Sequence, residues 1–244
     1  GQGTRSEAPK TVDVYNDSLV KTVATDLRTG IVDGGGASAG SVAVFTCGNK
    51  SEDSSLKGDV DFYDANLVHS TASLASEDMR SRIASLSVGN YALFAGGDPS
   101  GSTSSASKVN AYNSSHVMTK IYLSESTYSP VSTNVGKKYG VVGGGRRTSS
   151  SRNAVNDAIN TNLTITKLSD FEEFPRDDFV GASAGNYGVL PLEYSHCYIY
   201  DSNLVRTYIT NNSMDFGVYA VSTSLGRTAI IVTGAPTAAY AFQG

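Results

Sequence analysis

The chain has 244 residues, of which 17% are charged, a formal net charge of −4 and no tryptophan. Such a weakly acidic chain argues against a nucleic-acid surface, which needs a basic stripe. No apolar run approaches twenty residues, which argues against a membrane-spanning helix or membrane insertion. Residues 1–10 are polar and are expected to form a flexible lead-in, while residues 11–244 are expected to form a single domain.

Two sequence anchors recur along the chain at the same interval. The first is a glycine before each apolar run, at Gly40, Gly89, Gly136, Gly185 and Gly226, with steps of 49, 47, 49 and 41 residues. The second is a Val-Asx-x-Tyr-type segment whose fourth residue falls at positions 15, 63, 112, 159 and 200, with steps of 48, 49, 47 and 41 residues. Two anchors with one period indicate an internal repeat of 41–49 residues.

Each repeat contains four segments with the alternation and β-branched content of short strands, named a to d in chain order. In the second repeat they cover residues 84–88, 91–94, 109–113 and 117–120. Strand a is rich in Ser and Ala, strand b is the most apolar, strand c is the Val-Asx-x-Tyr segment, and strand d mixes charged residues with Val and Leu. A crowded inner strand, a buried middle strand and a solvated outer strand are typical of a β-propeller blade.

The chain begins with strands c and d at residues 11–22, continues from Gly34 with four a–b–c–d units, and ends with an a–b pair at residues 218–225 and 228–233. The terminal c–d and a–b pairs predict a shared fifth blade, whose formation would remove open sheet edges. The predicted fold is therefore an all-β, five-bladed β-propeller of four-stranded antiparallel blades. Residues 237–242 look like a further strand c, which pairs outside the ring, displaces the N-terminal strand, or belongs to a longer array.

Part of the repeat resembles a known family. Gly96-Gly97 follows an apolar strand and precedes a loop and residues 109–113 (Val-Asn-Ala-Tyr-Asn), an order that resembles the kelch repeat. Residues 89–94 (Gly-Asn-Tyr-Ala-Leu-Phe) are similar to kelch-like arrays in bacterial, bacteriophage and metagenomic sequences. The resemblance extends over about residues 12–242, although the strand-d Trp of kelch repeats is missing and the Gly pair is altered in three repeats. Together with the composition, the resemblance implies a bacteriophage tail or surface-appendage domain that contacts a host-surface glycan or protein.

Antiparallel strands bring the b–c and d–a loops to one face, and these are the long and variable loops of the chain. Variation at one end of a rigid scaffold indicates a binding face. Arg146 and Arg147 lie in a Gly/Ser loop, Tyr128 offers a ring for stacking, and Phe174 lies in the longest d–a loop. The predicted ligand-binding residues are Arg80, Asp98, Tyr128, Arg146, Arg147, Phe174 and Arg176. The kelch resemblance also implies that an Arg before strand a ties neighbouring blades together, a role favoured for Arg82 and Arg176.

Residues suited to catalysis or metal binding do not form a recognisable set. His69, His116 and His196 lack metal-ligand spacing. The acidic stretch 170–178 is interpreted as a solvated loop whose Phe171 and Phe174 pack on the blade edges, rather than as an acid–base pair or calcium site. The same loop, with its aromatic residues and charges of both signs, is also the best single candidate for binding. Cys47 and Cys197 are expected to be buried free thiols. The sequence thus predicts no cofactor, no metal and no enzymatic activity.

The predicted function is a non-catalytic, adhesive binding module on a virion or extracellular surface, with membership of a larger assembly left open. Two alternatives remain from the sequence: a cytoplasmic kelch-type module that binds a peptide segment, and a structural spacer without a ligand. An enzyme such as an oxidase or a lyase is a third, weaker alternative, since the sequence contains no recognisable set of metal ligands or acid–base residues.

Overall fold

A computed structural model describes residues 8–49, 55–99, 106–146, 151–172, 181–192, 196–210, 221–234 and 237–244. Over these residues the regular secondary structure is β-strand apart from short 3-10 turns at Ser76–Asp78 and at residues 106–107. The strands pair antiparallel in sheets of two to four strands. This arrangement is consistent with a β-propeller-like fold.

The described strands follow the predicted order along the chain. A hairpin of β1 (Asp13–Tyr15) and β2 (Lys21–Val23) comes first. Sheet 1 contains β3 (Gly35–Ala39), β4 (Val42–Thr46), β5 (Asp59–Tyr63) and β6 (His69–Ser73). Sheet 2 contains β8 (Ala84–Val88), β9 (Tyr91–Ala95), β11 (Lys108–Asn113) and β12 (Met118–Tyr122). The short strand β7 (Arg80–Ser81) precedes this sheet and pairs with β10 (Asp98–Pro99), which follows β9.

Three further sheets complete the described strands. Sheet 3 contains β13 (Val131–Val135), β14 (Tyr139–Gly143), β15 (Asn156–Asn160) and β16 (Ile165–Lys167). Sheet 4 contains β17 (Ala182–Ala184), β18 (Tyr187–Pro191), β19 (His196–Tyr200) and β20 (Arg206–Thr210). Sheet 5 contains β21 (Val221–Leu225), β22 (Thr228–Gly234) and β23 (Thr237–Gln243). Sheets 1 to 4 therefore confirm the predicted a–b–c–d units.

Sheet 5 differs from the sequence prediction. Its b strand, β22, pairs with β23, and Phe242 lies opposite Ala229. Among the described residues β1 pairs with β2 and not with β22. The sequence predicted that the N-terminal c–d strands would complete the last a–b pair. This prediction is wrong, because β23 takes the c position of sheet 5. The physical reason is proximity along the chain, because a two-residue connection between β22 and β23 costs far less loop-closure entropy than pairing with the other end of the chain.

The apolar core lies between the faces of successive sheets, and strand b supplies its centre. Phe94 packs with Val44 and Phe62 of sheet 1, whereas its neighbour Leu93 packs with Val142 and Ile159 of sheet 3. Alternation along a strand sends consecutive side chains to opposite faces, so each b strand contributes to two cores. This explains why strand b is the most apolar segment of every repeat.

The small side chains of strand a join neighbouring sheets by hydrogen bonds. The Ser38 N–H donates to the Ser87 hydroxyl at 2.9 Å, and the Ser87 N–H donates to the Asn134 amide oxygen at 3.2 Å. The Ser183 N–H donates to the Ser224 hydroxyl at 2.8 Å. These residues occupy one position of the repeat, and the a strands of all five sheets line a central cavity of about 690 Å³. The Ser-rich composition of strand a thus reflects inter-sheet hydrogen bonding as well as crowding.

Candidate ligand-binding site

A short backbone connection recurs between the d–a linker and the b–c loop in three sheets. It pairs Val32 with Asn49, Ser81 with Asp98, and Tyr128 with Arg146. In the third pair each N–H donates to the partner's carbonyl at 2.8 Å. The connection therefore fixes Tyr128 and Arg146 next to each other through backbone atoms, whatever their side chains do.

The glycines after strand b make this connection sterically feasible. Gly96 and Gly97 have φ values of 62° and 98°, and a Cβ on Gly97 would lie 2.6 Å from the Ser81 carbonyl oxygen. In sheet 1 Cys47 takes the first of these positions with φ of 63°, while Gly48 keeps the second with φ of 109°. Left-handed backbone is costly but accessible to a non-glycine residue, whereas the second position needs glycine. This is why the altered Gly pair of the first repeat still folds in the same way.

Charged side chains gather beside these connections. Arg82 Nη1 lies 3.0 Å from Asp98 Oδ2, and Arg82 Nε lies 3.7 Å from Asp33 Oδ2. We call Asp33, Arg82, Asp98, Tyr128 and Arg146 the mouth cluster. Asp33 and Arg82 directly precede cavity-lining residues, so the cluster lies at the end of the cavity where the d–a linkers enter strand a.

The electrostatics of the mouth cluster are mixed in sign. Partial burial raises the pKa of Asp98, and this effect outweighs the nearby Arg82 and Arg146 guanidinium groups and the Ser129 N–H, which favour the carboxylate. The Arg82 side chain is 48% exposed, so its cation is available to solvent. A rim with exposed cations, a carboxylate and a tyrosine can donate and accept several directional hydrogen bonds while offering little apolar surface.

Three of the predicted ligand-binding residues meet in this cluster, namely Asp98, Tyr128 and Arg146. Arg147, Phe174 and Arg176 lie outside the described residues. Arg82 was assigned a structural role from the sequence, and Asp33 was not singled out. The sequence does not reveal the backbone conformation that brings these two residues to the rim. Asp33 and Arg82 both have a positive φ, of 57° and 48°, which turns their side chains toward the rim. The residue types at these two positions do not by themselves predict a positive φ.

Arg80 is placed differently from its prediction. It is fully buried, and its guanidinium donates to the Gly96 carbonyl at 2.9 Å, to the Phe94 carbonyl at 3.3 Å and to the Lys108 carbonyl. These carbonyls lie at or near the ends of strands in sheet 2. Arg80 therefore connects the linker between sheets 1 and 2 to sheet 2. The predicted ligand contact of Arg80 is therefore replaced by a structural role, which the sequence argument had given to Arg82.

A buried carboxylate supports the same linker. Asp78 accepts a hydrogen bond from Lys108 Nζ at 2.9 Å and forms an ion pair with Lys120. Burial alone disfavours the ionised form, but the Lys120 and Lys108 ammonium groups outweigh it and lower the pKa of Asp78. Asp78 before β7 and Arg80 within β7 thus both hold the linker to sheet 2 by charge-assisted hydrogen bonds.

We expect Asp78→Asn to lower the free energy of unfolding by about 1–3 kcal/mol at pH 7, because two charge-assisted contacts are lost. The native pKa of Asp78 lies below its ordinary value of 3.8, so its stabilising contribution is complete above that pH and disappears as the pH falls through the lowered native pKa. Denaturant titrations of the wild type and of Asp78→Asn from pH 7 to pH 2 should show that the difference between their free energies of unfolding becomes smaller below pH 4. A difference in unfolding free energy that stays constant over this range would contradict the stabilising role of the ionised Asp78 carboxylate.

Other residues singled out from the sequence have structural surroundings. Phe171 is buried and stacks on Tyr198 with ring centroids 5.4 Å apart. Tyr198 belongs to the inner strand β19, so the ring packs on the face of sheet 4 and not on the predicted edge. Cys47 and Cys197 are both buried free thiols, as predicted. His69 Nε2 lies 2.7 Å from Asp61 Oδ1, and its ring stacks on Tyr63. Within the described ranges no three His, Cys, Asp or Glu residues come together as a metal site.

The fold and the cluster define the chain as an all-β protein with a β-propeller-like architecture and a polar rim at one end of a central cavity. No protein-family model matches the chain, and no curated protein matches it in sequence. The solved structure of YjhT is similar over 99% of this chain and 94% of its own, with a TM-score of 0.64 and 10% sequence identity. At this identity the similarity supports the fold alone. The described residues contain no helix that is long and apolar enough to cross a membrane.

Proposed function

We propose that this protein is a non-catalytic binding module that recognises a host-surface glycan, or failing that a host-surface protein, through the mouth cluster. The observation that carries the proposal is the meeting of Asp98, Tyr128 and Arg146 at the end of the cavity, on the face formed by the b–c and d–a loops. The setting that we propose is a bacteriophage tail or another surface appendage, in keeping with the kelch resemblance and the Ser-, Thr- and Asn-rich composition.

The chemistry of the rim suits a polyhydroxylated ligand. Sugars present closely spaced hydroxyl groups that both donate and accept hydrogen bonds, and the rim offers guanidinium donors beside a carboxylate acceptor. The backbones of Tyr128 and Arg146 are paired, so their side chains start from adjacent positions, and the proposed site can stack a sugar face on the ring while the guanidinium hydrogen-bonds the sugar's edge. The cavity behind the rim is lined mainly by Ser, Thr, Asn and Gly, which continue the polar character of the rim, although Ile83, Leu86, Pro130 and two alanines also line it.

The scaffold that we propose is a five-bladed ring of the kelch-like type. Hydrogen bonds between strands a link sheet 1 to sheet 2, sheet 2 to sheet 3, sheet 3 to sheet 4 and sheet 4 to sheet 5. The a strands of sheets 1 and 5 both line the central cavity, which supports a ring-like arrangement of the five sheets. A closed ring would anchor the linkers and loops that carry the rim residues on a rigid scaffold.

A glycan array tests the binding site with three variants. We expect Arg146→Ala and Tyr128→Ala to bind about ten-fold to thirty-fold more weakly than the wild type, as for anchor residues of an interface. The backbone pairing of these two residues survives both substitutions, so the rim keeps its shape. The matched control is Lys138→Ala, at the turn between strands a and b on the opposite end of sheet 3, which should bind like the wild type.

The outcomes separate the competing functions. A wild-type protein that retains no glycan would contradict glycan recognition and direct the search to a peptide partner or a spacer role. Equal loss in the Lys138→Ala control would show a general effect on the fold and would contradict the placement of the site. Binding that persists in both rim variants would place the ligand elsewhere on the molecule.

A further inference from the structure

The mouth cluster has two halves that belong to different sheets. Asp98 lies in the b–c loop of sheet 2, where Arg82 pairs with its carboxylate. Tyr128 and Arg146 belong to the linker that enters sheet 3 and to the b–c loop of that sheet. The linker segment 127–129 lies between the two halves and is hydrogen-bonded to both of them.

Thr127 begins this segment and directs each of its polar groups to a different partner. Its carbonyl accepts from the Gly97 N–H at 3.0 Å, and its N–H donates to the Ala106 carbonyl at 3.1 Å. Its hydroxyl donates to the Gly144 carbonyl. Gly97 and Ala106 belong to the b–c connection of sheet 2, whereas Gly144 directly follows strand b of sheet 3. Thr127 therefore joins two neighbouring sheets at the level of the rim.

The glycine pairs after strand b make room for this segment on both sides. A Cβ on Gly96 would lie 2.8 Å from the Thr127 carbonyl oxygen. A Cβ on Gly145 would lie 2.3 Å from the Tyr128 carbonyl oxygen. Contacts this short exclude a side chain, so the close approach of the linker to both loops requires glycine at these two positions.

Burial alternates along the segment. Thr127 is fully buried, Tyr128 is half-buried and Ser129 is buried again. The Ser129 N–H is hydrogen-bonded to the Asp98 carboxylate, so it holds the segment to the loop of sheet 2. Tyr128 remains accessible to solvent and is paired with the exposed Arg146. Anchoring and proposed ligand contact are thus divided between adjacent residues of one segment.

We propose that Thr127 is a positioning residue of the mouth cluster and sets the spacing between the Asp98 half and the Tyr128–Arg146 half. Its carbonyl holds the loop that carries Asp98, and its hydroxyl holds the loop that carries Arg146. Because Thr127 is fully buried, it acts only through these neighbours. A fixed spacing lets one ligand bridge both halves with little loss of conformational entropy. The ligand part of this proposal rests on the proposed function, whereas the positioning itself does not.

Amide hydrogen exchange in the ligand-free protein tests the positioning directly. Thr127→Val keeps the shape of the side chain but removes the hydroxyl that donates to the buried Gly144 carbonyl. The Tyr128 and Arg146 amides donate to each other's carbonyls and report on the connection between linker and loop. We expect both amides to exchange about ten-fold faster in Thr127→Val. Thr127→Ser retains a hydroxyl and should restore slow exchange.

The matched control is Thr46→Val. Thr46 is also fully buried, and its hydroxyl donates to the Asp59 carbonyl at 3.1 Å within sheet 1. The control should lower the midpoint of denaturant unfolding as Thr127→Val does, because each variant loses one buried hydrogen bond. It should leave the exchange of the Tyr128 and Arg146 amides unchanged. General stability and positioning of the rim are thereby measured separately.

Glycan binding shows whether the ligand uses this spacing. On the glycan array Thr127→Val should bind about ten-fold more weakly, whereas Thr127→Ser and Thr46→Val should bind like the wild type. Unchanged amide exchange at Tyr128 and Arg146 in Thr127→Val would overturn the positioning role, as would equally faster exchange in Thr46→Val. Faster exchange with undiminished glycan binding would overturn the bridging of both halves by one ligand. Faster exchange in Thr127→Val alone supports the positioning role even where the wild type retains no glycan, a result that would contradict only the proposed function.

Discussion

Replacing Arg80 by Met should lower the free energy of unfolding by about 3–5 kcal/mol. Met keeps much of the side-chain volume but donates no hydrogen bond, so the buried Gly96, Phe94 and Lys108 carbonyls lose their guanidinium donor. The loss is large because water cannot replace the donor at a fully buried site. Denaturant titration followed by circular dichroism measures the change.

The control is the neighbouring arginine. Arg82 is about half exposed and its ion pairs with Asp33 and Asp98 lie at the surface, so Arg82→Met should change stability by about 0.5 kcal/mol or less. The two substitutions involve the same residue types two positions apart, one at a fully buried site and the other at an exposed one. A loss below about 1 kcal/mol for Arg80→Met would mean that the guanidinium does not join the linker to sheet 2.

The repeat could be predicted from the sequence because its signals are local. Strand b of the second repeat was expected at residues 91–94 and is observed at Tyr91–Ala95, and strand c was expected at 109–113 and is observed at Lys108–Asn113. Hydrophobic alternation and Asx turns are determined by residues close together in the chain. Those signals repeat five times, so an error in one unit is corrected by the others.

Strand pairing between distant parts of the chain could not be predicted in the same way. Residues 12–16 and 237–242 both have the pattern of a c strand, and a pattern does not specify which of two similar strands pairs with β22. One signal was available: Phe242 follows Tyr200 by 42 residues, close to the preceding step of 41. That spacing assigns residues 237–242 to the last sheet, in agreement with the observed pairing of β22 with β23.

The candidate site was predicted only in part, for a conformational reason. Arg80 and Arg82 are both Arg residues just before a strand, and alternation would place both side chains on one side. The positive φ of Arg82 interrupts this alternation, so Arg80 is buried while Arg82 reaches the rim. The face was predictable from loop lengths, whereas the residues that reach the rim depend on backbone geometry.

Replacing Phe94 by Ala should lower the free energy of unfolding by about 3–5 kcal/mol, as for other buried Phe-to-Ala substitutions. The ring is fully buried, meets Tyr112 edge-on at 6.1 Å, and packs with Val44 and Phe62 of sheet 1. The cavity left behind would lie between two sheets held together by hydrogen bonds along strand a, which limits collapse around it. A loss below about half a kilocalorie would mean that strand b is not the core strand.

The neighbouring residue sharpens this test. Leu93→Ala removes apolar volume from the other face of the same strand, where Leu93 packs with Val142 and Ile159 of sheet 3, and should cost about 2–5 kcal/mol. Because the two side chains belong to different cores and share no partners, the double variant should lose the sum of the two within about 0.5 kcal/mol. Tyr122→Ala, on the solvated outer strand, serves as the exposed control and should change stability by about 0.5 kcal/mol or less. Strong non-additivity would show that the cores on the two faces of sheet 2 respond as one, contrary to a scaffold in which each sheet packs separately on its two neighbours.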